Sequence, residues 1–334
     1  MSRSSRSSNS KDNSNDNGKD NSNDSCSNQN NNNNNNNKNK KRKKDRLNLN
    51  SRIAIIGSGL GGLGAAISLE LAGFTDIVLY ERDGSVDSRR EGYGLTLTYN
   101  PQGPLAYMGV LEEVAQQDCP SRSHYTFGSD GRILSYYGNA FRSSSFGGRG
   151  QRGNLRLPRQ VLRNMLLNKV KAPVQFSKQL ISFDETDNDG RLTLSFQDGS
   201  TASGVDLLIG ADGIRSTVVK HLAPNDSGLN YLGIFIILGI SDFHHPLLDE
   251  RGFYTVDGNH RLFTMPFEGS RLSGTNRRIM WQLSYRLGNE SEAQRLSAAG
   301  PKALQDEVLS RCQDWHDPVV EMVKSTRHDT IWGT

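Results

Sequence analysis

The pattern of hydrophobic and polar positions changes sharply at about residue 51, and the first regular segment after it is the most informative. A continuous apolar run, Ile53–Ile56, stops at a glycine-rich turn. Small and apolar residues then recur at helical spacing as far as Gly73, and a second apolar run, Ile77–Tyr80, ends at Glu81. Runs that are apolar throughout are typical of strands buried on both faces. The pattern predicts strand, tight turn, helix and strand.

The turn itself reads Gly57-Ser-Gly-Leu-Gly-Gly62. Gly57 allows a sharp turn, Gly59 lets the backbone approach a pyrophosphate, and Gly62 lets the helix press against the strand. Phosphates would sit at the helix N-terminus, where unpaired N–H groups and the helix dipole favour negative charge. Glu81 follows at the end of the second strand, where a carboxylate can accept hydrogen bonds from ribose hydroxyls. Because the motif has its strand, helix and acid in place, it predicts a dinucleotide site rather than an ordinary loop.

The middle of the chain contains further candidate phosphate-binding groups, two of them where a predicted strand ends. Arg89 and Arg90 lie in a polar segment, either as solvated loop charges or with one of them reaching a phosphate. Residues 155–167 predict a short strand followed by a helix that begins near Arg159. A cation is unusual at that position, because the helix dipole favours anions there. A bound phosphate would explain it. A later apolar strand breaks before Asp212 and Gly213, which form a turn that presents a carboxylate and backbone amides together.

Two stretches favour antiparallel strands instead. Alternating runs on either side of Gly128-Ser-Asp-Gly131 predict a hairpin, and a second hairpin is predicted around Asn188-Asp-Gly190. From about residue 229, further alternating runs predict one antiparallel sheet as a separate layer. Two helices, at 301–312 and 319–324, follow it.

The first 50 residues differ in kind. They contain 18 Asn and only four apolar residues, so we expect a disordered tail. The tail carries a net charge of +6, which leaves a net charge of −2 on the remaining 284 residues. A body that is nearly neutral has no general electrostatic attraction for nucleic acid. The basic run Lys40–Lys44 is either a solvated flank or a nuclear-localisation signal. No apolar stretch is long enough to span a membrane, and the N-terminus lacks the apolar centre of a secretory signal. The expected location is therefore cytoplasmic, or nuclear if the basic run acts as a localisation signal.

Candidate catalytic chemistry is sparse along the chain. The three cysteines have neither metal-ligand spacing nor a CxxC pair, which argues against a disulfide reductase and against a metal site. No serine lies in a GxSxG elbow, which argues against a hydrolase. His244, His245 and His316 are interpreted as ordinary loop residues, and no catalytic residue is assigned. Four residues that alternate along two predicted strands either line a substrate pocket or belong to the core: Phe263, Met265, Trp281 and Leu283.

Taken in order, three motifs resemble the class A flavoprotein monooxygenases, the para-hydroxybenzoate hydroxylase-like family. They are the glycine turn with Glu81 and Arg82, the helix start Arg159-Gln-Val-Leu162, and the Asp-Gly motif in Gly210-Ala-Asp-Gly-Ile-Arg-Ser216. The resemblance covers roughly residues 51–334. It implies an α/β fold, with a Rossmann-like FAD-binding domain and an antiparallel-sheet substrate domain. The expected division is a tail (1–50), an FAD-binding domain (51–228, with a hairpin excursion at about 122–150), a substrate domain (229–298) and an incomplete helical return to the FAD domain (299–334).

The resemblance also implies roles and a reaction. Glu81 would hold the adenosine ribose, Arg159 and one loop arginine, Arg90, would lie near phosphates, and Asp212 and Gly213 would lie where flavin and nicotinamide cofactor are handled. The complete predicted cofactor set is Gly57, Gly59, Gly62, Glu81, Arg82, Arg90, Arg159, Asp212 and Gly213. NADPH or NADH would reduce FAD, and a C4a-hydroperoxyflavin would pass one oxygen atom from O2 to a small, aromatic or conjugated substrate.

The same family has a later Gly-Asp motif that completes the flavin site, and this chain has no Gly-Asp dipeptide. From this we expect a sequence that stops short of that motif. The alternative hypothesis is therefore a truncated, inactive flavin-fold fragment or an interaction protein without turnover.

Overall fold

A computed structural model describes residues 47–88, 92–119, 121, 123–138, 154–185, 190–225, 228–268 and 278–334 of the chain. Residues from Leu47 to Thr334 cluster as one compact unit. Residues 1–46 of the predicted tail, with the run Lys40–Lys44, lie outside the described residues, and so do Arg89, Arg90 and residues 186–189 of the second predicted hairpin. The last four residues of the predicted tail, 47–50, belong to the compact unit.

Strands and helices follow one another along the whole of this unit. The strands are β1 (Ile53–Ile56), β2 (Ile77–Tyr80), β3 (Gly94–Thr98), β4 (Ser123–Gly128), β5 (Ile133–Gly138), β6 (Asn154–Pro158), β7 (Val174–Gln175), β8 (Leu180–Glu185), β9 (Leu192–Phe196), β10 (Thr201–Val205), β11 (Leu207–Gly210), β12 (Ile234–Ser241), β13 (Arg251–Val256), β14 (His260–Glu268), β15 (Arg278–Arg286) and β16 (Ile331–Gly333). The helices are α1 (Leu60–Leu71), α2 (Pro104–Tyr107), α3 (Leu111–Gln116), α4 (Arg159–Lys169), α5 (Thr217–Leu222), α6 (Glu290–Ala298), α7 (Pro301–Cys312) and α8 (Val319–Lys324).

A four-stranded parallel sheet, in the order β11-β1-β2-β7, lies at the centre of the first half. Both of its faces are covered. Ile53 and Ile55 pack with α1 and α4, whereas Ala54 and Ile56 pack towards the smaller sheet β10-β9-β8. All four residues of β1 are buried, which is why this strand is apolar at every position. The predicted α/β class and its Rossmann-like core are confirmed.

The second half is built on a seven-stranded sheet, in the order β16-β12-β15-β14-β13-β4-β5. The hairpin predicted around Gly128–Gly131 forms, as β4 and β5, and it is part of this sheet. Its strand β4 pairs with β13 in parallel, so the large sheet is mixed rather than wholly antiparallel. The pairing joins positions about 128 residues apart in the chain, such as Ser123 and Arg251. No local sequence pattern predicts it.

The two faces of the large sheet have different neighbours. One face carries Trp281 and Leu283, and it packs against α7 and α8 through residues such as Val308 and Met322. The other face carries Met265, Phe267 and Met280, and the two-stranded ribbon of β3 and β6 lies against it. Contact is close, because a Cβ on Gly94 of β3 would come 3.2 Å from the Met265 methyl group.

Two short helices have clear local causes for where they begin and end. Gly109, which adopts a left-handed backbone with φ of 70°, lies between α2 and α3 and separates them. Helix α5 begins at Thr217, where the Ser216 hydroxyl accepts a hydrogen bond from the Val219 amide. Within the described residues, no helix has the length and apolarity needed to cross a membrane.

Candidate cofactor-binding site

The glycine turn joins β1 to α1 in a space that admits no side chain at two positions. Gly57 has a φ of 102°, and a Cβ there would come 2.4 Å from the carbonyl oxygen of Ala211. A Cβ on Gly62 would come 1.9 Å from the carbonyl oxygen of Gly57. Such distances are far inside van der Waals contact. Both glycines are therefore required by the close approach of β1, α1 and the segment after β11.

Gly59 has a different part in the turn. It is the N-cap residue of α1, no side chain caps the helix there, and the first turn contains no acidic residue. A Cβ on Gly59 would lie 3.7 Å from the Arg159 guanidinium. The helix start is thus an uncapped group of backbone donors with a cation beside it, which is an arrangement suited to phosphate.

Glu81 lies at the end of β2 and is only 1% exposed. Its Oε2 accepts hydrogen bonds from the Ser58 amide at 2.7 Å and from the Ser58 hydroxyl at 2.9 Å. Its Oε1 accepts one from the Asp83 amide at 3.2 Å. The carboxylate is therefore held in a fixed position against the glycine turn.

Arg163 supports this arrangement from α4. It is fully buried, its Nε donates to the Ser58 carbonyl at 3.0 Å, and its Nη2 donates to the Ser58 hydroxyl at 3.0 Å. Ser58 thereby connects Glu81 with Arg163. Neither Ser58 nor Arg163 was assigned a role from the sequence, although Arg163 lies four residues after Arg159 and so faces the same side of the helix.

Asp212 and Gly213 follow β11 on the other side of the turn. Asp212 Oδ2 accepts from the Thr217 amide at 2.6 Å and from the Val218 amide at 3.3 Å, and its Oδ1 accepts from the Ser216 hydroxyl at 2.6 Å. The carboxylate therefore organises the start of α5. Gly213 has a φ of 80°, and a Cβ there would contact nothing within 4 Å, so its backbone borders open space.

These parts enclose one cleft of about 520 Å³. Seven of the nine residues predicted from the sequence line it: Gly57, Gly59, Glu81, Arg82, Arg159, Asp212 and Gly213. Gly62 lies directly beneath the turn. Arg90 lies outside the described residues.

The cleft has an excess of cations. Its basic lining residues are Arg82, Arg159, Lys178, Arg215 and Lys220, against the two carboxylates of Glu81 and Asp212. Lys178 pairs with Asp198 at 2.6 Å, and hydrogen bonds from Lys178 and Ser200 hold the pKa of that carboxyl well below its usual range. Because both lining carboxylates already accept hydrogen bonds from the chain, the field in the cleft favours an anion. The donor set fits a dinucleotide with its pyrophosphate at the start of α1.

Other candidate chemistry takes no part in this cleft. Among the described residues, no group of His, Cys, Asp and Glu could hold a metal ion. Cys119 and Cys312 are both buried and free, and burial raises the pKa of the Cys312 thiol to about 12. His245 accepts a hydrogen bond from the Leu247 amide and pairs with Asp317 at 3.2 Å.

Phe263, Met265, Trp281 and Leu283, which either line a substrate pocket or belong to the core in the sequence prediction, do not lie on one face of the large sheet. Trp281 and Leu283 lie in the core beneath α7 and α8, and the Trp281 indole donates to the Thr326 hydroxyl at 2.9 Å. Phe263 and Met265 lie on the opposite face, which faces the ribbon of β3 and β6. The side chains alternate along each strand, but the register between strands decides which face each one occupies.

Comparison with known proteins connects this site to a family. Residues 50–308 match a family model described as an FAD binding domain. The chain therefore belongs to that family of FAD-binding domains, and the resemblance to class A flavoprotein monooxygenases is confirmed.

Individual relatives are distant. The chain is 28% identical over 183 residues to the YetM protein of Bacillus subtilis, which covers 54% of this chain and 47% of YetM. It is 26% identical over 305 residues to the monooxygenase cfoF of Aspergillus candidus, covering 84% of this chain and 70% of that protein. The chain thus spans about half the length of one relative and about two thirds of the other.

The fold is shared with solved structures. HpxO of Klebsiella pneumoniae, in its complex with FAD and uric acid, superposes with a TM-score of 0.66 at 22% identity, covering 85% of this chain and 67% of that chain. At this identity the likeness concerns the fold.

Proposed function

We propose that the chain is the FAD-carrying part of a monooxygenase, which uses NADPH or NADH and O2 to insert one oxygen atom into a small aromatic or conjugated substrate. The observation that carries the proposal is the single cleft that brings together the glycine turn, the buried Glu81 and the Asp212-Gly213 turn. In this proposal residues 51–228 hold FAD and residues 229–298 cover the substrate. A cytoplasmic location stays a prediction.

Within the cleft, each predicted residue has a role that its geometry supports. The amides at the start of α1 and the Arg159 guanidinium would bind the pyrophosphate. Glu81, fixed by Ser58, would accept hydrogen bonds from the adenosine ribose, with Arg82 beside it. Asp212 would keep the start of α5 in place, so that the backbone at Gly213 borders the cofactor.

Bound FAD would supply the redox chemistry, taking electrons from the nicotinamide cofactor and activating O2. The contribution of the chain is then to position the cofactor and to exclude water. The face with Met265, Phe267 and Met280 offers an apolar wall towards the ribbon of β3 and β6.

The test is an absorbance spectrum of the purified full chain after incubation with FAD and desalting. We expect flavin bands that remain with the protein, followed by NADPH or NADH oxidation that phenols or aryl acids accelerate. A protein that emerges colourless, although folded by circular dichroism, would refute the cofactor role of the cleft. Retained flavin without oxidation of either nicotinamide cofactor would instead favour the non-catalytic alternative.

A further inference from the structure

Strand β5 lies at one edge of the seven-stranded sheet. Its inner side pairs with β4, and no strand of the described chain pairs with its outer side. An edge strand presents backbone N–H and C=O groups along its outer side, and these groups can pair with a further strand. The outer side of β5 is therefore a place where a second polypeptide can extend the sheet.

The side chains of β5 do not protect this edge. The strand contains neither a charged residue nor a proline, which are the residues that commonly prevent edge strands from pairing. Ile133 is 58% exposed, Leu134 48% and Tyr137 53%. Three large apolar or aromatic side chains thus lie exposed along one short strand, and exposed apolar patches mark interaction surfaces.

The opposite edge of the same sheet differs. Strand β16 has only three residues, and the Gly333 carbonyl at its end accepts a hydrogen bond from the Ser297 hydroxyl of α6 at 3.0 Å. A short edge strand that is engaged by a neighbouring helix is a poor template for further pairing. Extension of the large sheet is thus favoured at β5.

Strand β5 is held in place by its own chain. Its pairing with β4 is irregular beside Phe127, near the turn, and continues in unbroken register from Ser135 to Gly138. The Tyr137 ring stacks on the buried ring of His124 at 5.0 Å between centroids. A strand whose backbone and side chains are already ordered loses little conformational entropy when it pairs.

The sequence of β5 is suited to pairing with itself. Antiparallel pairing of two copies with Ser135 opposite Ser135 places Leu134 opposite Tyr136 of the second copy. The same register places Ile133 opposite Tyr137. Opposed residues share one face of a sheet, and pairs of aromatic and branched aliphatic side chains stabilise it.

The charges at the ends of β5 also permit this pairing. Arg132, the residue before the strand, lies opposite Gly138 of the second copy in this register, so the two arginines do not face each other. The arrangement has two-fold symmetry, which is the commonest symmetry of protein oligomers. A second copy of this chain is therefore the partner that the strand itself fits.

We propose that β5 pairs in antiparallel orientation with β5 of a second copy, so that two large sheets join into one sheet of fourteen strands. The dimer is held by backbone hydrogen bonds between the two edges and by the opposed side chains of β5. The proposal does not rest on the proposed function, since no residue of β5 lines the cofactor cleft.

Sedimentation velocity of the purified full chain over a range of concentrations measures this association. We expect a dimer with twice the 37.0 kDa mass of one chain, which dissociates on dilution. Leu134→Lys should weaken the dimer about tenfold or more, because the ammonium group would lie against Tyr136 of the second copy. The matched control is Ile181→Lys, at an isoleucine of β8 that is 56% exposed, and it should leave the dimer unchanged.

Oxidative cross-linking tests the register of the two strands. Cys119 and Cys312 are buried, and the background variant Cys26→Ser removes the third cysteine. In that background, Ser135→Cys should form a disulfide-linked dimer on treatment with diamide, because directly opposed residues lie about 4.5–5.5 Å apart at Cα. Ser203→Cys, on the edge strand β10 of the smaller sheet, should give no cross-linked dimer.

Three results would overturn the pairing. The first is a chain that stays monomeric at every concentration. The second is a dimer that Leu134→Lys does not weaken, since another surface then holds it, and the third is a dimer that fails to cross-link through Ser135→Cys. Circular dichroism of each variant shows that a lost dimer is not a lost fold. Because β5 lies outside the cleft, Leu134→Lys should retain as much FAD as the unchanged chain, so a failure to bind FAD bears on the proposed function alone.

Discussion

Ser58 shows how much a single residue contributes to the cofactor site. Its amide and hydroxyl both donate to Glu81, while its carbonyl and hydroxyl accept from Arg163. All three residues are buried, so these hydrogen bonds are not weakened by competition with water. The position of the carboxylate is set by this small side chain between two strands and a helix.

Gly61 and Gly62 are adjacent in sequence and differ completely in their surroundings, which gives a matched pair. A Cβ on Gly62 would meet the Gly57 carbonyl, whereas a Cβ on Gly61 would meet nothing within 4 Å. We expect Gly62→Ala to lower the free energy of unfolding by about 1–3 kcal/mol or more and to weaken FAD binding. Gly61→Ala should be neutral or stabilising by up to about 1 kcal/mol, because alanine is the better helix former. Urea unfolding and FAD titration measure both, and equal effects of the two changes would contradict the packing of the turn.

The buried His124 predicts a specific dependence of stability on pH. The unfolded chain takes up a proton at this residue below about pH 6.5, whereas the folded chain does so only near pH 4. Its contribution to stability is therefore complete above pH 6.5 and is lost as the pH falls to 4, by about 3 kcal/mol. Burial is the larger cause of the lowered pKa of His124, and the positive charge of Arg156 acts in the same direction.

Urea unfolding at several pH values, for the wild type and His124→Phe, measures this contribution. The difference between the two free energies of unfolding should change across pH 6.5 to 4, whatever the absolute stability of the variant. Parallel pH profiles for the two proteins would show that His124 is not buried in its neutral form.

At the scale of elements, helix α4 carries two arginines one turn apart with different surroundings. Arg159 lines the cleft at the start of the helix, and Arg163 is buried beneath the glycine turn. Sequence spacing predicted the helix and the unusual cation at its start. It gave no indication that Arg163 was buried, because burial of that residue depends on how α4 packs against β1 and α1.

Replacing each arginine by glutamine should separate binding from stability. Arg159→Gln should weaken FAD binding about tenfold or more with little change in the free energy of unfolding, since the lost contact is to the ligand. Arg163→Gln should lower the free energy of unfolding by about 3–5 kcal/mol, because buried acceptors lose a charged donor. Calorimetric FAD titration and denaturant unfolding report the two effects, and a large stability loss in Arg159→Gln would exclude a purely ligand-facing role.

At the scale of the whole molecule, the cleft and the large sheet belong to one compact unit from Leu47 to Thr334. Of the three tryptophans of the sequence, Trp281 and Trp332 lie in the large sheet, and Trp315 lies in the segment between α7 and α8. The cofactor cleft is formed by the other half of the unit. None of the three tryptophans lines the cofactor cleft, so their fluorescence reports on the large sheet and the segments that follow it.

If the unit unfolds cooperatively, FAD should stabilise the region that tryptophan reports on. At a free FAD concentration of 100 times the dissociation constant, the expected stabilisation is about 2.7 kcal/mol, seen as a higher Tm in the tryptophan signal. Circular dichroism should give the same transition. A tryptophan transition whose Tm does not change with FAD, together with a second transition whose Tm rises, would show that the two halves unfold separately.

The sequence by itself determined the parts whose causes are local. The glycine turn, the apolar strands β1 and β2, the acid at Glu81 and the Asp212-Gly213 turn all follow from backbone freedom, periodicity and helix polarity over a few residues. Those rules were enough to indicate an α/β fold with a dinucleotide site and to name seven of the residues that line its cleft.

Only the tertiary structure decided what depends on distant segments meeting. The parallel pairing of β4 with β13, the burial of Arg163 and the separation of Trp281 from Phe263 on opposite faces are set by the register and packing of strands far apart in the chain. The meeting of Arg156 with His124 has the same origin. A sequence pattern records the environment that a residue requires, whereas the identity of its neighbours is fixed when the sheets and helices pack.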